Sequence, residues 1–294
     1  MGEPDPSPSR TLVPELARAP GHLMWRAHAR VTLALDEVLP PGVDIHGYAA
    51  MLALGKNDPL SQQAVADMVS TSRTTMAKVA ADLVDRGLVE RVRNPADRRA
   101  YLLTLSPAGA AAARTWRRHA EDLEEFIGRP FTERERAELR GLLHRVVAAE
   151  LSPRTPEPLL ASIGFLITRA HFRMHRDFTA ALTPLRIEPR HFGALTALRS
   201  AGPLPQAELA RSLGISGASI VQMVDDLERR GLLERRRLAT DRRTQVLHLL
   251  PEADEVLDRA EAIARDTIEV RLAPLTKRQS DRLVALLLRF ITAA

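Results

Sequence analysis

The chain is written twice, and that fact limits what it can fold into more than any other. Asp82–Arg99 reads DLVDRGLVERVRNPADRR and Asp226–Arg243 reads DLERRGLLERRRLATDRR, with 11 of 18 positions identical at a constant offset of 144 residues. The offset continues without a gap. Leu139, Leu142, Leu143, Val146 and Val147 repeat as Leu283, Leu286, Leu287, Phe290 and Ile291. Both sets have the i, i+3, i+4, i+7, i+8 spacing of one helix face. Thr132-x-x-Glu135 and Thr276-x-x-Gln279 precede them with capping-box spacing, where a hydroxyl and the N3 side chain satisfy free helix N–H groups. Upstream, Arg26-Ala27-His28-Ala29-Arg30 matches Arg169-Ala170-His171-Phe172-Arg173 at an offset of 143, so one residue was gained or lost in between. The 294 residues therefore divide into two copies, residues 20–150 and 158–294. A short stiff linker of residues 151–157, with Pro153 and Pro156, joins them, and residues 1–19 form a Pro-rich tail.

Copy 1 reads as helix, helix, helix-turn-helix, hairpin and two helices. The first helix runs from Pro20 to Leu39 and is ended by Pro40-Pro41-Gly42; the next runs from Asp44 to Leu54, before turn residues Lys56–Pro59. A short helix, Ser61–Val69, and the turn Ser70-Thr71-Ser72 lead into a longer helix from Arg73 to Arg86, with Ser72 as its N-cap and Gly87 as its stop. Two short strands, Leu88–Arg93 and Ala100–Leu105, flank the tip Asn94–Arg99. Ser106-Pro107 is a cap with an N1 proline, opening a helix to Ile127. In copy 2 the equivalent of Ser106 is Leu250, which leaves that helix start without its hydroxyl. The expected class is mainly α with small β-hairpin wings (α+β): two winged helix-turn-helix units.

In such a unit the second helix lies in the major groove with its first turns facing base edges. Copy 1 offers Arg73, Thr74, Thr75 and Lys78 there; copy 2 offers Gly217, Ala218, Ser219 and Gln222. These polar side chains suit base edges or phosphates, although an ordinary exposed helix surface would look similar. The hairpins say more. Residues 86–99 carry a local charge of +3 and residues 230–243 a local +4, against +5 for the whole chain. Positive charge is thus gathered at two equivalent places on an otherwise slightly acidic body, the footprint of a polyanion site. The 39 arginines against three lysines do not separate a GC-rich coding bias from phosphate recognition.

The chain contains no cysteine, which excludes disulfides, thiolate nucleophiles and thiol redox sensing. No apolar run approaches a membrane span, and the polar, Pro-rich start does not resemble a secretory signal, so a cytoplasmic protein is expected. No Gly-rich phosphate loop, H-E-x-x-H or G-x-S-x-G is present, and an enzyme is not expected. Glu124-Glu125 reads as part of a solvated helix face.

The stretches Ser72–Gly109 and Ile215–Arg243, with Asp-Arg-Arg at each wing, resemble the MarR family of bacterial transcriptional regulators over nearly the whole chain, twice. The resemblance implies binding to double-stranded DNA, with Arg99 and Arg243 in the minor groove beside Arg98 and Arg242. Asp97 and Asp241 would fix the wing tips, either by pairing with Arg or by local turn hydrogen bonds. The family works as a homodimer with intertwined terminal helices. Here the fusion implies a monomeric pseudo-dimer with pseudo-two-fold symmetry, reading an imperfect palindrome; further association of chains stays open. A repressor that responds to a small aromatic or phenolic effector is implied, the effector changing the spacing of the two readers. Trp25, His28, Tyr48, His171, Phe172, His175 and Phe192 are the candidate lining residues, each with an ordinary core role as the alternative. His171 and His175 are spaced i, i+4 as metal ligands can be, but no third ligand stands clearly beside them, so no metal and no cofactor is expected. A protein of the same fold that binds small molecules without binding DNA is the competing reading.

Overall fold

The computed structural model describes residues 16–39, 43–55, 59–97, 99–237 and 245–293. Within these the chain is mostly helical, with small antiparallel sheets. The first copy contains α1 (Pro20–Val38), α2 (Ile45–Leu54), α3 (Gln62–Met68), α4 (Arg73–Asp85), β1 (Val89–Arg93), β2 (Tyr101–Leu105), α5 (Pro107–Gly128) and α6 (Glu133–Val147). A short α7 (Glu157–Ala161) follows. The second copy contains α8 (Ile163–Leu182), α9 (Pro189–Ala201), β3 (Leu204–Pro205), α10 (Gln206–Leu213), α11 (Gly217–Arg229), β4 (Leu233–Arg237), β5 (Gln245–Leu249), α12 (Pro251–Leu272) and α13 (Lys277–Thr292). The expected turns Pro40–Gly42 and Lys56–Asp58 lie outside the described residues.

The compact units do not follow the sequence copies at their edges. One comprises residues 27–170; the other comprises residues 171–294 with the start of the chain up to Arg26. We call them the copy-1 and copy-2 units. The first turns of α1 thus belong to the copy-2 unit, and the first turns of α8 to the copy-1 unit.

In the copy-1 unit the local chemistry sets each boundary. Asp44, Ser61, Ser72 and Ser106 cap α2, α3, α4 and α5, each side chain accepting an N–H from three residues on. Thr132 and Glu135 form a complete capping box on α6. Gly87 ends α4 with φ +68°, the left-handed conformation that glycine adopts without cost. Val65, Met68, Met76, Leu83, Val89 and Leu103 are all buried behind the helix-turn-helix and hairpin. β1 and β2 pair antiparallel, with Val89 opposite Leu105, and Leu60 adds a single bridge to Leu103. The wing therefore has a third, one-residue strand that an alternation pattern cannot reveal.

The copy-2 unit repeats this plan with a three-stranded sheet in the order β3-β5-β4. Its core joins Leu195, Leu209, Met223, Leu227 and Leu257, and Leu16 packs into it. The last residues of the Pro-rich tail are thus ordered, as a 3-10 turn over Leu16–Arg18. α12 begins at Pro251 although its N-cap, Leu250, makes no side-chain cap bond. The N1 proline lacks an N–H and so removes one of the donors a cap would satisfy.

One expectation about the surface is corrected. Glu125 is exposed, but Glu124 is not part of a solvated face. Its carboxylate accepts hydrogen bonds from Ser162 Oγ at 2.6 Å, Ile163 N at 2.9 Å and Gly164 N at 3.0 Å, capping the start of α8 within the copy-1 unit.

Candidate nucleic-acid interface and ligand cavity

The start of α4 presents Arg73, Thr74 and Lys78 to solvent, while Met76 and Ala80 face inward. Ser72 fixes that start: its Oγ accepts from Thr75 N at 3.0 Å and lies 2.8 Å from Thr75 Oγ1. Thr75 is therefore partly committed to the cap. Arg73 reaches back to Gln63 on α3 through its Nε. In α11 the same design recurs, with Ser216 accepting from Ser219 N at 3.2 Å, and Ser219 and Gln222 exposed.

The turn before each of these helices needs a left-handed residue. Copy 2 uses Gly214 at φ +68°; copy 1 uses Ser70 at φ +53°, a conformation that costs a non-glycine residue about 1 kcal/mol. In copy 1 the turn is held from α8. Arg169, 7% exposed, donates from Nη1 to the Ser70 and Val69 carbonyls and from Nη2 to His46 Nδ1 at 3.2 Å. Burial pulls the Arg169 pKa down to about 10, with Asp44 and Glu150 acting in the opposite direction. No sequence signal pointed to this anchor.

The wing tip of copy 1 is a tight turn. Asp97 Oδ1 accepts from Arg99 N at 2.9 Å, and Asn94 Oδ1 accepts from Ala96 N at 3.0 Å. Of the two roles open to Asp97, the structure displays the backbone hydrogen bond. Arg99 is exposed, and Arg93 lies over the Tyr101 ring at 5.5 Å. Arg98, Asp241, Arg242 and Arg243 lie outside the described residues.

The two wings differ in how much of their charge is already spent. In copy 2, Arg235 is held by Asp225 and Glu228 and Arg236 by Glu234, whereas Arg230 pairs with Asp226 at 2.8 Å just as the equivalent Arg86 pairs with Asp82 at 2.9 Å in copy 1. Copy 1 has Ala81 and Val84 where copy 2 has Asp225 and Glu228, and its Arg91, the equivalent of Arg235, is exposed. Formal charge counting therefore overstates the copy-2 wing. Asp226 also faces the buried His191 at 3.3 Å, tying α11 to α9.

The aromatic candidates separate. Trp25, His171, His175 and Phe192 line one cavity of about 500 Å³ inside the copy-2 unit, together with His22 and Phe178. Phe178 and Phe192 meet edge to face at 5.4 Å. Phe172 is 41% exposed and does not line it. His28 and Tyr48 belong to the copy-1 unit: His28 Nδ1 lies 3.3 Å from Thr168 Oγ1, and Tyr48 is buried. Burial, followed by Arg169, pushes the pKa of both His28 and His46 down to about 4. Burial raises Tyr48 to about 12. Burial, then Arg26, lowers His22 to about 4, so it is neutral at pH 7. Among the described residues no group of three or more His, Cys, Asp or Glu could hold a metal, and no helix is long and apolar enough to cross a membrane.

Residues 42–100 and 187–244 each match the sequence pattern of the MarR family. A protein of Thauera aromatica, named as a transcriptional regulatory protein for the hcr operon, is 29% identical over 154 residues, covering 52% of this chain and 86% of that one. A crystal structure of a transcriptional regulator from Pseudomonas aeruginosa is 31% identical, with a TM-score of 0.40, over 42% of this chain and 93% of that chain. The transcriptional repressor CouR, solved on a 23-mer DNA duplex, is 36% identical, with a TM-score of 0.39, over 42% of this chain and 88% of that chain.

Proposed function

The chain belongs to the MarR family and is a DNA-binding transcriptional regulator rather than an enzyme, and from that premise we propose that it is a ligand-responsive repressor that supplies both winged units of an operator complex from one polypeptide. The observation that carries this reading is the presence, twice in one chain, of a serine-capped helix with an exposed polar first turn followed by a basic hairpin. Residues 20–150 and 158–294 act as the two protomers of a pseudo-dimer in the cytoplasm. α4 and α11 enter successive major grooves, two half-sites one helical turn apart. Arg73, Thr74, Thr75 and Lys78 read one half-site, Ser219 and Gln222 the other, and Arg98, Arg99, Arg242 and Arg243 contact the flanking minor grooves. Because the two helix starts differ, and because the copy-2 wing engages Arg235 and Arg236 with its own acids, the operator is an imperfect palindrome with unequal half-sites. The cavity beside Trp25, His171, His175 and Phe192 receives the effector.

Selection of bound DNA from a random pool tests this directly. The expected product is two unlike half-sites at fixed spacing, bound at one chain per duplex. A gel shift on the protein's own upstream region should be lost with Arg99→Ala combined with Arg243→Ala. No shift even at low salt, where phosphate contacts are strongest, overturns the reading in favour of a ligand-binding protein without a DNA partner.

A further inference from the structure

The outward faces of α4 and α11 correspond residue by residue at the offset of 144. Over residues 73–81 the exposed positions are Arg73, Thr74, Ala77, Lys78 and Ala81. Over residues 217–225 they are Gly217, Ala218, Ser219, Val221, Gln222 and Asp225. Counted from Thr74 and from Ala218, four positions in each set follow i, i+3, i+4, i+7 and form one stripe along the helix. The inward stripes are alike, with Met76, Ala80 and Leu83 matched by Ile220, Val224 and Leu227, all buried. The two helices thus differ in what they present outward.

The α4 set carries two cations, Arg73 and Lys78, and the α11 set carries none. The one charge in the α11 set, Asp225, is engaged by Arg235 of β4. Ser219 is partly committed to the cap, its Oγ 2.9 Å from Ser216 Oγ. Gln222 is therefore the main polar side chain of this face, beside the methyl groups of Ala218 and Val221. Val221 is 43% exposed, a large apolar side chain on a face that the two-reader model places in the groove. A Cβ on Gly217 would meet nothing within 4 Å, so no neighbour within the chain demands a glycine there. A bare first turn instead lets the backbone come close to a partner.

A face of this chemistry matches only part of what the major groove offers. It has no cation for phosphates, so it discriminates through base edges. The Gln amide carries a donor and an acceptor side by side, the complement of adenine N7 and N6. Methyl groups find an apolar partner in the thymine C5-methyl, which a G·C pair lacks. Arg and Lys side chains, as on α4, suit the paired acceptors O6 and N7 of guanine instead. Positions 218 to 222 span about 6 Å along a helix axis, against about 3.4 Å per base step, so these contacts fall on two or three consecutive base pairs.

We propose that Val221, with Ala218 and Gln222, determines the specificity of the copy-2 reader, and that its half-site is a run of two or three A·T pairs recognised through thymine methyl groups and adenine. Val221 seats against one thymine methyl, and Gln222 pairs with a neighbouring adenine. The half-site read by α4 is recognised through guanine, by Arg73 and Lys78. This inference rests on the two-reader operator described above and adds the base class of each half.

Selection from a random DNA pool is run with the wild-type chain and with a triple variant, Ala218→Thr, Val221→Ala and Gln222→Lys, which gives α11 the α4 residues at these exposed positions. The half-site that changes between the two pools is the one α11 reads. It should be A·T in the wild-type pool and gain G·C in the variant pool, while the other half-site stays constant. Gln222→Ala should lower the preference of that half-site for A·T over G·C by about 5- to 150-fold. Replacing its thymines one at a time by deoxyuridine removes only the methyl group. In fluorescence anisotropy one such replacement should weaken wild-type binding about three- to fivefold, the value of one buried methyl group, and Val221→Ala should lose that penalty. Two identical half-sites, an α11 half-site built on G·C pairs, deoxyuridine bound as tightly as thymine at every position, or a penalty that Val221→Ala leaves intact would each overturn the inference while the DNA-binding regulator stands. No enrichment from the pool and no shift at low salt refutes the two-reader operator itself, and the inference falls with it.

Discussion

Removing the Glu124 carboxylate should loosen the copy-1 unit by an amount the geometry bounds. The side chain accepts one hydroxyl and two backbone donors at 2.6–3.0 Å. Glu124→Ala leaves the N–H groups of Ile163 and Gly164 without this acceptor in a largely buried setting. Each such orphan costs about 1–3 kcal/mol. Water entering the vacated space recovers part of this, so about 2–4 kcal/mol is expected. Glu124→Gln keeps an acceptor oxygen and should cost about 1–2 kcal/mol. The pH dependence of that second difference is the sharper check. Burial raises the Glu124 pKa despite the opposing hydrogen bonds from Ser162, Gly164 and Ile163. The native carboxyl therefore holds its proton at a pH where the unfolded one has lost it. Its contribution to stability is fully present below the unfolded value of 4.5 and is lost as pH rises through the native pKa. The advantage of wild type over Glu124→Gln should shrink across that interval. Trp116 sits in the copy-1 unit and is buried, and Trp25 is the other tryptophan of the two. Urea unfolding followed by fluorescence in a Trp25→Phe background thus isolates the relevant unit. A Glu124→Gln penalty that grows with pH, or a Glu124→Ala penalty below about 1 kcal/mol, would refute the account of Glu124 as a buried cap.

Three other outcomes follow from the same structure. The native pKa values of His28 and His46, about 4 against 6.5 unfolded, mean that the unfolded chain takes up protons the native one refuses; copy-1 stability should fall by roughly 5 kcal/mol as pH drops from 6.5 to 4, and by about half of that in His46→Gln, in the same fluorescence assay. A Cβ at Gly109 would lie 1.8 Å from the Leu88 carbonyl, whereas one at Gly217 meets nothing within 4 Å; Gly109→Ala should cost about 3 kcal/mol or more by overpacking, and Gly217→Ala close to nothing, as read from urea midpoints. Arg99→Ala should weaken operator binding and lower the slope of log affinity against log salt by about 1, measured by fluorescence anisotropy; an unchanged slope removes Arg99 from the phosphate contacts.

Helix faces, caps and stops are legible in the sequence because their causes are local. Helix faces in α6 and α13 follow from spacing, and their capping boxes from a hydroxyl three residues before Glu or Gln. Ser72 and Ser216 mark the starts of α4 and α11 for the same reason. The duplication needed no structure at all. The left-handed turn before α11 could be seen in Gly214, while the equivalent Ser70 gave no such sign, because its conformation is held by Arg169, far away in the chain.

What only the tertiary structure decided is which charges are already engaged. The sequence determined that the chain carries two winged units and that their helix starts differ. It places Glu124 with Glu125 on a solvated face of α5 as paired carboxylates, and a periodicity argument cannot know that α8 begins against Glu124. Likewise it counted the arginines of the copy-2 wing as free charge, although Asp225, Glu228 and Glu234 already engage Arg235 and Arg236. The physical reason is common to both cases. Period and capping depend on residues within a turn of one another, whereas the burial of a charge and the survival of a cavity depend on which distant side chain arrives opposite, and on its volume.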